Sequence, residues 1–206
     1  MDTIGFFMSR WQQILQLTLE HFIIVVIAMT ISIVVGVGIG ILITYHAKAA
    51  DIIIKVAGVL MTIPSLALFS ILIPLLGIGT APAIAGLVLY TQLPIIRNVY
   101  MGIMGIDSSI IEAAHGMGIN PKKILYKIKL PLAFPVIMTG IRTAVVMGIG
   151  IGAIASYIGA GGLGDYIFQG ISRNNEKMIL IGAIMVSLLT IIIDQGLGWV
   201  QNRYEV

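Results

Sequence analysis

Long runs of apolar residues without a charge constrain this chain more than any other feature of its sequence. The run from about Phe22 to Thr44 contains no Asp, Glu, Lys or Arg. An α-helix needs about 20 apolar residues to cross about 30 Å of hydrocarbon, so this run is long enough to span a membrane. Only 10% of the 206 residues are charged, whereas soluble domains usually carry about 25%. The chain is therefore predicted to be an all-α polytopic membrane protein.

Four further apolar stretches bring the predicted number of transmembrane helices to about five. These stretches cover about 52–76, 81–96, 134–158 and 178–197. Pro64 and Pro74 interrupt the first of them. Because neighbouring helices can satisfy the carbonyls that a proline frees, we predict one kinked span there. The transmembrane domain is predicted at 19–199, between an N-terminal amphipathic segment at 1–18 and a C-terminal tail at 200–206.

The segment before the first predicted span, from Phe6 to Glu20, alternates apolar and polar residues with a helical period. Two interpretations stay open for it. It lies along the outer membrane surface as an amphipathic helix, or it is simply the start of the first helix.

The distribution of basic residues predicts the orientation of the chain in the membrane. With five spans and a cytoplasmic C-terminus, the inner segments hold eight basic residues: Lys48, Lys55, Arg97, Lys122, Lys123, Lys127, Lys129 and Arg203. The outer segments hold three, Arg10, Arg173 and Lys177. Cytoplasmic loops of membrane proteins carry an excess of Lys and Arg, so the C-terminus is predicted to be cytoplasmic.

The longest polar segment, 107–131, is predicted to form two short helices in the cytoplasm. Ser109 and Glu112 have the S-x-x-E spacing of a capping box at the start of the first helix. Asn120 followed by Pro121 is typical of the start of a second helix, which Leu130–Pro131 is predicted to end. The pattern alone leaves two alternatives open, a docking surface for a partner and an ordinary connector.

The same segment resembles the EAA motif of ABC importer permeases. Glu112, Ala113 and Ala114 are followed after three residues by Gly118, and further along by the sequence Ile-Lys-Leu-Pro at 128–131. In that family the motif forms coupling helices that sit in a cleft of the ATPase. The resemblance implies that Glu112, Ala113, Ala114 and Gly118 couple this chain to an ATPase. It also implies about five transmembrane helices of the type I, methionine-permease-like fold, with a cytoplasmic coupling-helix loop.

Five further stretches resemble the osmoprotectant permeases in particular. They are TIPSLA at 62–67, LGIGT at 76–80, LPIIRN at 93–98, GIRTA at 140–144 and IGAGGLG at 158–164. The resemblance implies a permease subunit of an ATP-driven importer for glycine betaine, carnitine or choline, which supports adaptation to osmotic stress. Since methionine and phosphonate permeases have a similar glycine motif, a permease of either type is the alternative, ahead of a non-transport membrane protein.

The resemblance also implies the partners. We expect ATPase subunits that bind ATP and Mg²⁺, a second permease that is identical or paralogous, and a separate extracellular substrate-binding protein. The chain has no G-x-x-x-x-G-K-[ST] phosphate loop of its own. It is therefore expected to be no enzyme, to hold no cofactor or metal, and to bind no nucleic acid. Its expected location is the bacterial plasma (inner) membrane, crossed several times.

The glycine-rich stretch, residues 159–164, is a candidate for the external gate. Four of its six residues are glycines, Gly159, Gly161, Gly162 and Gly164, and glycine adopts backbone conformations closed to other residues. The alternative is a flexible surface loop. Two further glycine pairs, at 36 and 40 and at 148 and 152, are predicted to be small-x-x-x-small packing faces.

Four other residues within predicted spans are candidates for function. Tyr90 and Tyr157 are candidates to line the pathway, with simple packing as the alternative. Arg142 and Asp194 are charges at similar predicted depth on consecutive helices, and we predict that they pair. The alternative is that each side chain reaches the inner interface independently. The three histidines, His21, His46 and His115, are predicted to be solvated rather than bound to metal.

Overall fold

A computed structural model describes residues 3–203, and every regular element in that range is helical. The α-helices are α1 (Thr3–Ile43), α2 (Ala47–Thr62), α3 (Ser65–Leu76), α4 (Thr80–Met104), α5 (Ser108–Gly116), α6 (Pro121–Ile124), α7 (Leu130–Ala155), α8 (Leu163–Ser172) and α9 (Glu176–Asn202). A π-helical turn, Leu125–Lys129, joins α6 to α7, and a 3₁₀ turn, Ser156–Ile158, follows α7. The predicted all-α fold is confirmed.

Helix α4 lies at the centre of the molecule, between α1 and α7. Its residues Ile95 and Val99 are fully buried in the main apolar core. Glycines let the neighbouring helices approach it closely: a Cβ on Gly36 would lie 2.7 Å from the Ile95 side chain, and one on Gly40 would lie 2.5 Å from Val99. The predicted packing role of this glycine pair is confirmed. At such contacts a methyl group would push the helices apart.

By length and composition, three helical stretches within 3–203 are apolar enough to cross a membrane: Gly5–Ile43, Pro121–Ile158 and Glu176–Asn202. The bent pair α2 and α3 would make four. The predicted count of about five is therefore higher than these criteria give. The difference is α4, which at 25 residues is long enough but carries buried polar residues such as Thr91 and Gln92. Its central position shields them from lipid.

Helices α2 and α3 meet at Pro64 with a bend of 99°. The prediction of one kinked span understates this break, and Pro74 lies within α3 without interrupting it. The hydroxyl of Tyr90 on α4 donates a hydrogen bond to the carbonyl of Ile63 at the break. A carbonyl without a helical partner is thus satisfied by a neighbouring helix, as an apolar environment requires.

The N-terminal segment does not form a separate helix lying along the surface. Helix α1 continues without a break from Thr3 to Ile43, so the second interpretation, the start of the first helix, fits the structure. At the other end, α9 extends to Asn202 and absorbs the start of the predicted tail. The predicted segments also include residues 1, 2 and 204–206, which lie outside the described range.

Candidate functional site

Helix α5 lies in the loop between α4 and α7, and both of its ends are capped by hydrogen bonds. At its start, the Asp107 side chain accepts a hydrogen bond of 2.8 Å from the backbone N–H of Ser109, and this bond lowers the pKa of the Asp107 carboxyl. The predicted capping box is therefore wrong, because Ser109 already lies inside the first turn. Asp107, two residues earlier, is better placed to reach an unpaired N–H.

Helix α5 ends in a Schellman motif centred on Gly118. The Gly118 N–H donates to the carbonyl of His115 at 2.9 Å, and the Ile119 N–H donates to that of Ala114 at 3.1 Å. Gly118 has a φ of +72°, the left-handed conformation that this motif requires. A Cβ at this position would meet no atom within 4 Å. The backbone conformation, rather than crowding within the chain, therefore favours glycine here.

Three of the four predicted coupling residues lie on the surface of this loop. Glu112, Ala113 and Gly118 are exposed, whereas Ala114 is 1% exposed and lies on the buried side of α5. Large apolar side chains share the exposed surface: Ile110 is 43% exposed and Met117 71%. A short helix with small residues and apolar anchors facing outward is suited to insertion into a groove of a partner.

The connection from this loop to α7 is continuous helix. Asn120 caps α6 through a 2.9 Å hydrogen bond from the Lys122 N–H, and Pro121 occupies the first turn, as predicted. Leu130–Pro131 does not end the helix: Pro131 lies in the first turn of α7, where a missing N–H is tolerated. The π-helical turn before it carries the chain into α7. The result is a helical stretch of 38 residues, Pro121–Ile158, about 57 Å long.

The glycine-rich stretch begins where this helical stretch ends, and it is held in place by two other parts of the molecule. The carbonyl of Ile158 accepts a hydrogen bond of 3.0 Å from the Gly79 N–H in the turn between α3 and α4. The Gly162 N–H donates to the Glu20 carboxylate on α1 at 3.4 Å. Gly159, Gly161 and Gly162 all have positive φ, between 80° and 84°. These contacts argue against a flexible surface loop.

Gly164 has a different role from the three glycines before it. It lies in α8 with an ordinary backbone conformation, but a Cβ there would lie 1.9 Å from the carbonyl oxygen of Ala153. No real contact is so short, so only glycine allows α8 to pack on the end of α7. Next in sequence, Asp165 is partly buried near Glu20, and this burial, with the repulsion from Glu20, raises the pKa of the Asp165 carboxyl.

His21 is buried, which contradicts the prediction that it is solvated. It is 1% exposed, and its Nε2 lies 3.0 Å from the carbonyl oxygen of Ile149 on α7. Gly152 and Gly162 make room for the ring, since a Cβ on either would lie 3.0 to 3.4 Å from His21 atoms. His46 and His115 are exposed, as predicted. Within 3–203 no group of three or more His, Cys, Asp or Glu residues is arranged to bind a metal.

The two candidate pathway tyrosines lie in different environments. Tyr90 is 5% exposed and its hydroxyl is engaged at the break between α2 and α3. Tyr157 is 67% exposed and its ring lies 5.4 Å from that of Phe168 on α8. The structure does not bring the two together into one site, and only Tyr157 is accessible from outside the protein.

The structure brings Arg142 and Asp194 together. Arg142 Nε donates to one carboxylate oxygen and Nη2 to the other, both at 2.9 Å, which makes the pair bidentate. Arg142 lies about 18 Å along α7 from Leu130, and Asp194 about 12 Å before the end of α9. A lone charge at the centre of a bilayer costs on the order of 3 kcal/mol. Pairing removes much of this penalty and joins α7 to α9.

Gln201 and Gly198 also contact Arg142, and neither is among the residues predicted from the sequence. Arg142 Nη1 donates to Gln201 Oε1 at 2.9 Å. A Cβ on Gly198 would lie 3.2 Å from the guanidinium carbon, so the glycine leaves room for the arginine. Positions 194, 198 and 201 are spaced by four and three residues, and hence share one face of a helix. That spacing is the signal that could have identified them.

Comparison with known proteins supplies the context for this geometry. The family model described as "Binding-protein-dependent transport system inner membrane component" matches residues 32–206. The chain is 42% identical over 204 residues to the carnitine transport permease protein OpuCB of Listeria monocytogenes, covering 98% of this chain and 94% of that protein. It is 40% identical to the choline transport system permease protein OpuBB of Bacillus subtilis, covering 97% and 92%. It is also 40% identical to the osmoprotectant import permease protein OsmW of Salmonella typhimurium, covering 100% and 96%.

Solved structures give the same architecture. The fold is similar to a chain of the MetNI methionine ABC transporter in an inward-facing conformation, with a TM-score of 0.87 and 22% identity, covering 96% of this chain and 99% of that chain. It is also similar to a chain of an amino acid ABC transporter crystallised with histidines, with a TM-score of 0.80 and 16% identity, covering 98% and 99%. At these identities the likeness shows the fold alone, and it agrees with the predicted methionine-permease-like fold.

Proposed function

Because this chain belongs to the family of binding-protein-dependent transport system inner membrane components, we propose that it is the permease subunit of an ATP-driven importer for quaternary ammonium osmoprotectants. The solutes are glycine betaine, carnitine or choline. One observation carries this proposal: about 40% identity, over nearly the whole chain, to permeases whose names specify carnitine, choline or osmoprotectants.

The exposed surface of α5 is the proposed contact with a separate ATPase chain. Glu112, Ala113 and Gly118 face outward there beside Met117, and Ala114 anchors the helix from its buried side. Such a surface fits a groove rather than a flat partner, because small residues let the backbone approach closely. ATP and Mg²⁺ belong to the ATPase in this proposal, and the permease supplies the mechanical connection.

The helical stretch Pro121–Ile158 is the proposed means of transmission. It begins at the coupling loop and ends at the glycine-rich stretch, so displacement of its inner end reaches the outer end through one continuous helix. The proposed external gate is formed by Gly159, Gly161 and Gly162. Gly164 allows α8 to pack against the end of α7 beside them. Their bonds to α1 and to the turn before α4 support this role, since a gate must be held in one conformation until it is driven to another.

The proposed orientation is the one that the distribution of basic residues favours. We place the coupling loop, with Lys122, Lys123 and Lys127, on the cytoplasmic side, together with the C-terminus. The glycine-rich stretch and α8 then face outward, where a separate binding protein delivers the solute. Two permeases around a two-fold axis, identical or paralogous, complete the path, since symmetry is the usual solution for such assemblies. Tyr157, which is exposed at the outer end, remains a candidate to line that path, whereas the environment of Tyr90 favours a packing role.

The alternative substrate is methionine, because the glycine motif at 158–164 also resembles that of methionine permeases. Reconstitution separates the two. The permease, its ATPase and its binding protein are assembled in proteoliposomes, and uptake of labelled glycine betaine, carnitine, choline and methionine is measured with and without ATP. ATP-dependent uptake of a quaternary ammonium solute supports the proposal. Uptake of methionine alone would overturn it.

A further inference from the structure

A cavity of about 400 Å³ lies beside the Arg142–Asp194 pair, where α7 and α9 meet. Its lining residues are Thr139, Arg142, Thr143, Val146, Met147 and Asp194. The two charged side chains remain 29% and 33% exposed, so both reach the cavity as well as each other. The volume falls in the range of about 300 to 1,000 Å³ that is typical of sites for small molecules.

The surface around this cavity differs from a surface that faces lipid. Between Phe22 and Leu42, the outward side of α1 exposes large apolar side chains and carries no charge. The face of α7 and α9, by contrast, exposes parts of an arginine, an aspartate and two threonines at a comparable distance from the helix ends. Hydrocarbon cannot solvate such groups, and charges within membrane helices face a protein interior or a water-filled path. The cavity is therefore turned away from lipid, toward a protein interior or a water-filled path.

Arg142 is held in place by groups other than Asp194. Its Nη1 donates to Gln201 Oε1 at 2.9 Å, and Gln201 Nε2 in turn donates to the Thr139 hydroxyl at 3.2 Å and the Pro135 carbonyl at 3.3 Å. Gly198 packs directly against the guanidinium group. The guanidinium therefore keeps its orientation even when its contact with Asp194 is exchanged for another carboxylate.

The remaining polar groups of the cavity are acceptors. The Thr143 hydroxyl donates its hydrogen to the Thr139 carbonyl at 2.8 Å, and a hydroxyl retains lone pairs after donating. Its oxygen therefore adds to the acceptor character of the Asp194 carboxylate. One part of the cavity thus offers a fixed, planar donor for a carboxylate, and the other offers oxygens for a cationic group. Val146 and Met147 supply an apolar wall beside them.

We propose that this cavity is a transient binding station for a zwitterionic solute, with its carboxylate on Arg142 and its quaternary ammonium group beside Asp194 and Thr143. The ion pair and a zwitterion each carry no net charge, so exchanging partners brings no net charge into the membrane. A simple cation such as choline would leave Arg142 without a carboxylate partner while it occupied Asp194, which is unfavourable for a partly buried charge. This proposal rests on the proposed function. In it, the cavity is the part of the path that selects zwitterions.

The test uses the complete reconstituted transporter and two variants. Arg142→Gln with Asp194→Asn removes both charges and leaves a hydrogen-bonding amide at each position, with the glutamine shorter than the arginine and with two N–H donors instead of five. Asp51→Asn with Lys55→Gln is the control, since it removes an exposed ion pair of 2.7 Å on α2. Initial uptake of glycine betaine and of choline is measured for each. We expect the first variant to lose glycine betaine uptake by about tenfold or more and choline uptake by much less, and the control to change neither.

An unchanged ratio of glycine betaine to choline uptake in the first variant would overturn the proposal that the cavity binds the solute. If that variant does not assemble, Thr143→Val provides the same test, because it replaces one cavity-lining oxygen with a methyl group of similar size. The expected decrease in the ratio is then about threefold, and an unchanged ratio again overturns the proposal. Carnitine, the second zwitterion, is measured in the same assay. Wild-type uptake of choline but of neither zwitterion would also overturn the proposal. Wild-type uptake of none of the three solutes would refute the proposed function itself.

Discussion

Substitutions at Gly118 should separate the backbone role of this residue from its role in docking. Its φ of +72° is strained for alanine, whereas asparagine adopts this conformation more readily. Space for a side chain is not limiting, because a Cβ would meet no atom within 4 Å. Tryptophan combines the backbone strain with a large ring on the exposed surface. Gly116 is the matched control, since it is also exposed and uncrowded but has no positive φ.

The loss of stability expected for Gly118→Ala follows from the backbone conformation of Gly118 alone. An L-residue in the left-handed region costs about 1 to 2 kcal/mol, and the loss of glycine returns about 0.4 to 1 kcal/mol through the unfolded chain. The net effect for Gly118→Ala is about 1 kcal/mol, which changes the population of the capped turn about fivefold. This is too small to unfold the transmembrane helices. Gly116→Ala should be neutral or slightly stabilising, because alanine favours the helix.

The assay is substrate-stimulated ATP hydrolysis by the reconstituted complex, with the amount of bound ATPase measured in parallel. We expect Gly118→Asn to keep most of the stimulation, Gly118→Ala to lose part of it, and Gly118→Trp to lose nearly all of it while the complex remains in the membrane. Gly116→Ala should behave as the wild type. Normal stimulation in Gly118→Trp, with the ATPase still attached, would refute the coupling role of this turn.

Three further substitutions test the fold around the gate and the central helix. Gly164→Ala should prevent stable assembly, because its Cβ would lie 1.9 Å from the Ala153 carbonyl; Gly38→Ala, which meets nothing within 4 Å, should accumulate normally in membranes. Tyr90→Phe should lower stability by about 1 kcal/mol, because it removes the hydroxyl bonded to Ile63, and Tyr157→Phe should leave the thermal midpoint unchanged. Burial and Glu20 raise the pKa of Asp165, so its ionised form opposes folding at neutral pH. Stability should increase as the pH falls through that raised pKa and level off below the ordinary pKa of an aspartate. Asp165→Asn should abolish this dependence, and a persistent dependence would contradict the assignment.

The parts of the fold that the sequence predicts well are those set by local rules. Asn120 and Pro121 start α6 because a capping side chain and a fixed φ act within one turn. The Arg142–Asp194 contact also follows from simple counting, since position along a straight helix determines depth. Both residues therefore reach similar depth from opposite directions of the chain.

The errors occur where two local signals compete or where a distant helix intervenes. Ser109 and Glu112 have the spacing of a capping box, but Asp107 reaches the unpaired N–H first. Pro131 is a signal for a helix end and equally for a helix start, and the π-helical turn before it decides in favour of the start. His21 is buried because α7 packs against α1. Gly152 of α7, which makes room for the ring, lies 131 positions from His21 in the sequence. No periodicity within α1 contains that information.

If this chain transmits the arrival of an osmoprotectant to an ATPase, ATP hydrolysis by the reconstituted complex depends on the solute. The rate is measured with the binding protein empty and loaded with glycine betaine, carnitine, choline or methionine. We expect at least one quaternary ammonium solute to raise the rate of ATP hydrolysis and methionine to leave it unchanged. Stimulation by methionine alone, or equal rates with every solute and with none, would contradict it.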